Sequence, residues 1–549
     1  MRPVLHEIGQ FLRTVRHLRP VQIYGRVWFR LARPRPDLSA APALRAPRGP
    51  WQSPAARQPS LTGPGAFRFL NEAGSLAQCG WDDPATPKLW RYNLHYFDDL
   101  NADGAAERAP WHQALAADWL AANPPGKGTA WEPYPTSLRI VNWIKWARAG
   151  HGLSREALQS LAVQTRWLTQ RLEWHLLGNH LFANAKALVF AGLFFDGAEA
   201  ARWLDTGRRI LTQEIPEQIL PDGGQFELSP MYHALAVEDM LDLVNIARAY
   251  GCDDLATEWS VPIPAMLDWL MTMTHPDGDL AFFNDTAMGI APSNDRLLAY
   301  ARSLGFVTSQ PASGTKHLPA SGYARLVRGP AVLIADLARV GPDYLPGHAH
   351  ADTLSFELSL SGRRVIVNSG TSVYGLGPER ERQRGTAAHS TVVVGGRNSS
   401  EVWSGFRVGR RALPFDVSLR DEGEALAATG AHDGYRHLPG APVHRRTWQL
   451  TDRGLTVTDS IEGHGQQRIE AWFHLAPGFR AVQKGDYTLI ADDRGVEIAT
   501  VRHQGSRLET VASTWHPQFG LTVQNEALRI ACDSPLPLRF ETSLIWTVP

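Results

Sequence analysis

From about residue 105 to residue 310 the apolar positions follow a helical period, and beyond residue 316 they follow a period of two. Leu158, Leu161, Leu168 and Leu172 share one helical face behind Ser154, a residue able to cap the helix. The stretch 180–190 is apolar nearly all round, as an inner helix buried on every side would be. Further helical blocks are expected at 197–215, 230–250 and 262–274, with short Gly/Pro/Asp loops between them, which points to a toroid or helical array. In the later part, Leu354, Phe356, Leu358 and Leu360 alternate with Thr353, Ser355, Glu357 and Ser359. Tight hairpins are expected at Ser361-Gly362 and at Asp452-Arg453-Gly454. This region reads as all-β and is long enough for a two-sheet sandwich.

The change of period falls at Thr308–Lys316, so the chain divides into 1–65, 66–312 and 313–549. The first unit is basic: Arg2, Arg13, Arg16, Arg19, Arg26, Arg30, Arg33 and Arg35 stand against Glu7. It lacks the continuous apolar run of a signal peptide. One placement is a basic amphipathic helix lying on a membrane. The expected one is a helix packed on the main domain, because Phe11, Val15, Leu18, Val21, Ile23, Val27 and Leu31 supply a large apolar surface. Residues 34–65, rich in Pro, Ala and Arg, read as an extended arm.

The 549 residues carry 55 basic and 55 acidic side chains, a formal net charge of zero. Bulk attraction to nucleic acid or to a membrane is therefore not supported, and an acidic polymer would have to be held by local arginines. Nineteen Trp offer flat apolar faces, which suit sugar rings as well as large cores. Cys79, Cys252 and Cys532 show neither metal spacing nor a disulfide framework. No stretch reads as a membrane span. The protein is expected in the cytoplasm, or outside it by a non-classical route.

The candidate chemistry is concentrated in a few segments. Gly347-His348-Ala349-His350-Ala351-Asp352 leads into the alternating strand, and two same-facing imidazoles at a strand mouth suit an acid, a base or a metal. Ala387-Ala388-His389 and Trp403-Ser404-Gly405-Phe406-Arg407 follow. Upstream lie Trp131–Trp143, Gly178-Asn179-His180, and Asp222–His233 with Glu227 and Tyr232. Taken singly, Asn179 reads as a helix cap, His180 as a satisfied core histidine and Tyr232 as a half-buried aromatic. In this order, together with Leu89–Phe97, the segments resemble the heparinase II/III family of polysaccharide lyases, from about residue 85 to the end of the chain.

That resemblance implies an N-terminal (α/α) toroid followed by a C-terminal antiparallel β-sandwich, with the site in the cleft between them. It implies β-elimination on a uronic-acid polysaccharide. Asn179 with His180 would hold the carboxylate, Tyr232 would serve as acid or as both acid and base, and His180 or His348 would be the partner base. A phenol, with an ordinary pKa near ~10, needs a neighbouring cation or a desolvated site to act as a base, and His348 is the expected neighbour. The resemblance also implies a divalent metal (Zn, Mn or Ca) on His350, Asn368 and His389. Asn368 stands where an Asp is usual, a weaker ligand, and Asp352 is available to compensate. The bland alternative for this trio is a hydrogen-bonded structural cluster. Trp131, Arg139, Asn142, Glu227, Trp403 and Arg407 are candidate substrate contacts, whereas Arg380, Arg382 and Arg384 read as a solvated run. An acidic polysaccharide is the expected partner. The competing readings are a toroid glycoside hydrolase using Glu132, Glu227 or Asp285, and a non-catalytic glycan-binding or scaffold protein of exopolysaccharide assembly.

Overall fold

The Ser154 side chain accepts from the Ala157 amide, and the helix Arg155–Thr169 starts there. The computed structural model describes residues 2–503 and 508–547, with side chains from residue 7 onward, so the side chain of Arg2 lies outside the described residues. The apolar stretch 180–190 belongs to the helix Gly178–Phe194, in which every side chain from Leu181 on is buried. Around it pack the helices Pro133–Arg148, Ala198–Gln218 and Pro230–Ala249. Two glycines set the closest of these approaches. A Cβ on Gly192 would sit 2.5 Å from the Leu204 nitrogen, and one on Gly207 2.7 Å from the Ala185 carbonyl. Together these helices build an (α/α) toroid whose last helix, Asn294–Ser303, precedes the first sandwich strand, Gly314–Leu318.

The C-terminal part is an antiparallel β-sandwich of one eight-stranded and one nine-stranded sheet. Phe356, Leu358, Trp448, Leu455 and Phe473 fill the space between the sheets. The alternation expected from residue 353 becomes strand only at Phe356–Leu360, because Leu354 turns the chain at φ +64°. The polar side of that strand does not face water. Ser359 Oγ lies 2.8 Å from His275 Nδ1, and Glu357 Oε2 lies 3.0 Å from His275 Nε2, so the sandwich is hydrogen-bonded to the toroid there. Ser361 and Gly362, at φ +48° and +83°, make the expected tight turn. The Asp452 hairpin joins Val443–Leu450 to Gly454–Glu462, longer strands than the sequence suggested. A small sheet over Leu61–Ser75 was not foreseen.

The N-terminal unit packs on the main domain, but not through most of the apolar surface that the sequence offers. It forms two helices, Arg2–Val15 and Pro20–Leu31, which dock mainly through polar, charged or small groups. Arg13 pairs with Glu401 at 2.7 Å, and Trp403 Nε1 donates to Thr14 Oγ1 at 3.1 Å. Arg19 pairs with Glu217 while Gln22 donates to the Tyr344 carbonyl at 3.1 Å. Gly25 lies against His175, and Phe29 stacks on the same ring at 4.2 Å. The body presents carboxylates and carbonyls at these places, so it takes the helices' polar side rather than their apolar stripe.

Candidate functional site

A cleft of about 310 Å³ opens where toroid and sandwich meet, walled by Asn142, Asn179 and Tyr232 on one side and Tyr374 and Phe519 on the other. Ser229-Pro230 starts the helix carrying Tyr232, with Ser229 Oγ accepting from the Tyr232 amide. The Tyr232 ring stacks on His348 with centroids 4.0 Å apart, and its hydroxyl lies 3.2 Å from that of Tyr374. Burial, helped by the Tyr374 phenol, pushes the Tyr232 hydroxyl well above its ordinary pKa. Tyr232 is thus held protonated, which suits a proton donor better than a base.

His348 and His350 lie in a loop, not on a strand, and they bracket one buried carboxylate. His348 Nδ1 is 2.9 Å from Asp285 Oδ2, and His350 Nε2 is 2.9 Å from Asp285 Oδ1. Arg380 completes the cluster with a two-pronged grip on the same carboxylate. Burial opposes charge on Asp285, but Arg380 and the two histidines outweigh it and hold the carboxyl well below its usual range. An N–H given by His348 Nδ1 to Asp285 leaves its Nε2 with a free lone pair, 3.5 Å from Glu227.

Asn179 lies in the first turn of its helix. Leu177 and Gly178, at φ +63° and +55°, bend the chain into that turn, and Leu177 occupies the cap position without a side-chain cap bond. The capping reading of Asn179 is therefore corrected: its side chain lines the cleft. His180 is half-buried beside Tyr134, ring centroids 4.5 Å apart, with Nδ1 3.1 Å from Glu173. Burial works against its positive charge, but the charge and hydrogen bond of Glu173 prevail and raise its pKa. Glu173 is itself fixed by Asn184, which donates to its carboxylate at 3.1 Å and accepts from its amide at 2.8 Å.

His350, Asp352 and His389 present ligand atoms within 4.8 Å of one another. His350 Nδ1 and His389 Nε2 are 3.0 Å apart, while each ring's other nitrogen faces an acceptor, Asp285 or the Gly385 carbonyl. Burial drives both histidines to low pKa, about 4 for His350 and about 3 for His389. With each ring's outer nitrogen donating, the two facing nitrogens would be left with lone pairs, a donor set that fits a divalent cation. Asn368, the third ligand that the resemblance implies, is buried nearby and hydrogen-bonded. Its Oδ1 accepts from the Ser390 amide at 3.0 Å and its Nδ2 donates to Ser355 at 3.3 Å.

Several expected substrate contacts lie elsewhere. Trp131 is buried, donating to the Asn123 carbonyl at 3.1 Å and packing on Trp119 and Trp167. Arg139 is wholly buried, stacked on Trp119 and bonded to Gln164 and the His95 and Ala130 carbonyls. Both belong to the toroid core. Trp403 and Arg407 belong to the docking site of the N-terminal helices, with the Arg407 guanidinium 4.9 Å from the Trp403 ring centre. The neighbouring Phe406 is the ring that reaches His348, at 6.3 Å. Asn142 lines the cleft, but its amide is engaged by Tyr96, Asp98 and Asn101. Glu227 is buried beneath His348 rather than open to the cleft. The arginine run is not all solvated: Arg380 and Arg384 are buried, and Arg382 alone reaches the exterior, beside Glu379. Sequence reading missed the roles of Asp285, Arg380 and Tyr374, whose partners lie far off along the chain, and of Glu173, which pairs with His180 only seven residues on but stands in no recognisable motif.

A helical toroid seated on an antiparallel sandwich, with a Tyr–His pair and a His/Asp cluster at the junction, defines the class of protein. Residues 105–303 match the family model described as "Heparinase II/III N-terminus", and residues 310–547 match "Heparinase II/III-like, C-terminal". The chain belongs to the heparinase II/III family. A heparin-sulfate lyase of Bacteroides stercoris is 26% identical over 57% of this chain, which spans 48% of that protein. An "FtsZ-localized protein C" of Caulobacter vibrioides is 27% identical over 83% of this chain and 82% of its own. The crystal structure of heparinase III shares the fold with a TM-score of 0.68 at 19% identity, covering 86% of this chain and 80% of the other. No helix among the described residues is long and apolar enough to cross a membrane.

Proposed function

We propose that the protein is a polysaccharide lyase that cleaves a uronic-acid-containing polymer by β-elimination. The observation that carries this reading is the stacked Tyr232–His348 pair in the cleft, with His348 oriented by Asp285. His180, whose positive charge Glu173 favours, and Asn179 neutralise the substrate carboxylate, so that charge can build up as the C5 proton leaves. His348 Nε2 takes that proton. The C4–O bond breaks as the C4=C5 double bond forms, and Tyr232 protonates the departing sugar oxygen. A divalent cation held by His350, Asp352 and His389 would fix the loop that carries His348. When bound it would supply positive charge to this cluster, while the proton transfers belong to the side chains.

The hydrolase reading loses support because Glu132 is engaged by Lys88 and Tyr92, Asp285 by Arg380, and Glu227 lies under His348. The scaffold reading draws on the Caulobacter relative, which is matched along most of both chains.

The test is absorbance near ~232 nm, where the unsaturated uronate formed by the elimination absorbs. Wild type and Tyr232→Phe are compared on heparin or heparan sulfate, chondroitin, hyaluronan, alginate and bacterial exopolysaccharides. A rise on one polymer, abolished in Tyr232→Phe with the fold intact, is expected. No rise on any of them, with the protein folded and divalent metal added, would give the scaffold reading precedence.

A further inference from the structure

We propose that the two N-terminal helices are a membrane-contact element that holds the protein on an anionic phospholipid surface. The amphipathicity of these helices is inverted. These helices turn polar, charged and small groups toward the body: Arg13, Thr14, Arg19, Gln22 and Gly25. Val21 and Phe29 pack inward, against the toroid core and His175, but most of the large apolar residues face outward at helical spacing. Ile8, Phe11 and Leu12 form one stripe, while Ile23, Tyr24, Val27, Trp28 and Leu31 form the other. None of the eight is less than 49% exposed, and Trp28 and Leu31 reach 71% and 73%. A water-facing helix would place these residues on the opposite side, so the surface is built to be covered.

Charge decides what covers it. The chain as a whole is neutral, yet residues 1–36 hold eight arginines and one acid. Arg13 and Arg19 are committed to Glu401 and Glu217. Arg16, Arg26, Arg30, Arg33 and Arg35 are exposed on the same segment as the apolar stripes. Apolar side chains rimmed by guanidinium groups match the boundary between acyl chains and anionic headgroups. The exposed Trp28 and Tyr24 rings, apolar with one polar edge, suit the same depth. A second copy of this chain fits worse, because a two-fold contact would bring the arginine rims of both copies together. Neither helix is long or apolar enough to span a bilayer, so the element lies in the interface.

The test is co-sedimentation of the full chain with vesicles of phosphatidylcholine, alone or with about one-third phosphatidylglycerol. Binding to the anionic vesicles is expected, weakening as salt rises from about 0.1 to about 0.5 M. The pair Trp28→Glu and Leu31→Glu should lower the partition coefficient at least about tenfold, since it removes the deepest apolar contacts. Both side chains are solvent-exposed, so the melting curve should be unchanged. Binding kept in full by that variant would overturn the proposal, as would no binding to anionic vesicles. So would a dimer in solution that the variant abolishes while wild type ignores vesicles.

Discussion

With His348, His350 and Arg380 all directed at Asp285, replacing that one carboxylate touches both the proton chemistry and the fold. Asp285→Asn leaves Arg380 buried without a counter-charge, at a cost of about 3–5 kcal/mol. It also lets His348 adopt the other tautomer, for which a loss of about 10²- to 10⁴-fold in kcat is expected. The two effects separate in a double variant. Asp285→Asn with Arg380→Met should regain most of the stability and none of the activity, read by denaturant melts and by turnover. Regained activity would remove Asp285 from its orienting role. At the cation cluster, Asp352→Asn should lower bound divalent metal in elemental analysis, while Asn368→Ala should leave it unchanged. The reverse result would restore the ligand set inferred from sequence. Motif residues such as Tyr232 and His348 could be read from the chain because their local patterns are distinctive. The orienting role of Asp285, offered by the sequence only as a hydrolase carboxylate, could not, since its partners are 63 to 95 positions away.

At the level of elements, the helices were legible wherever the apolar period was long and the start was capped, as at Ser154. The segment opening at Gly178 was harder, because its geometry depends on positive φ rather than on a cap. Leu177 and Gly178 aim Asn179 and His180, and a Cβ on Gly178 would meet Leu345 Cδ2 at 2.3 Å. Gly178→Ala adds a left-handed penalty of about 1–2 kcal/mol and that clash. It should lower the denaturation midpoint and raise KM more than Leu172→Ala, a change behind the cleft. Equal KM in the two variants would mean that the turn does not position the carboxylate-binding pair. The alternation around residue 356 separates an apolar from a polar face but carries no sign of what the polar face meets. Glu357 and Ser359 bind His275 of the toroid. The N-terminal stripe was read correctly as apolar and its direction was not, because docking is set by Glu401 and Glu217, far along the chain.

For the molecule as a whole, the junction between toroid and sandwich gives folding a defined pH dependence. His275 lies buried there, and burial, reinforced by Arg364, holds its pKa down to about 4. Burial likewise takes His95 and His233 in the toroid to about 3. The unfolded chain binds protons on these residues near pH 6.5, and the native state does not. Stability contributed by their neutrality is present above about 6.5 and is lost as pH falls toward the folded values. By pH 5 each fully buried histidine costs on the order of 2 kcal/mol. Asp459 acts lower down. Burial opposes its charge, but Arg446 and His444 hold it at about 2, so its contribution is present above the ordinary carboxylate range and lost between about pH 4 and pH 2. Acid unfolding should therefore begin between pH 6.5 and 5, before the carboxylates titrate. Because His275 joins the two domains, both should lose structure in that first stage. His275→Gln keeps a hydrogen-bonding side chain without the titration. It should flatten the slope of stability against pH between 6 and 5 by about 1.4 kcal/mol per unit. An unchanged slope would show that the junction histidine is not what makes the fold sensitive to acid.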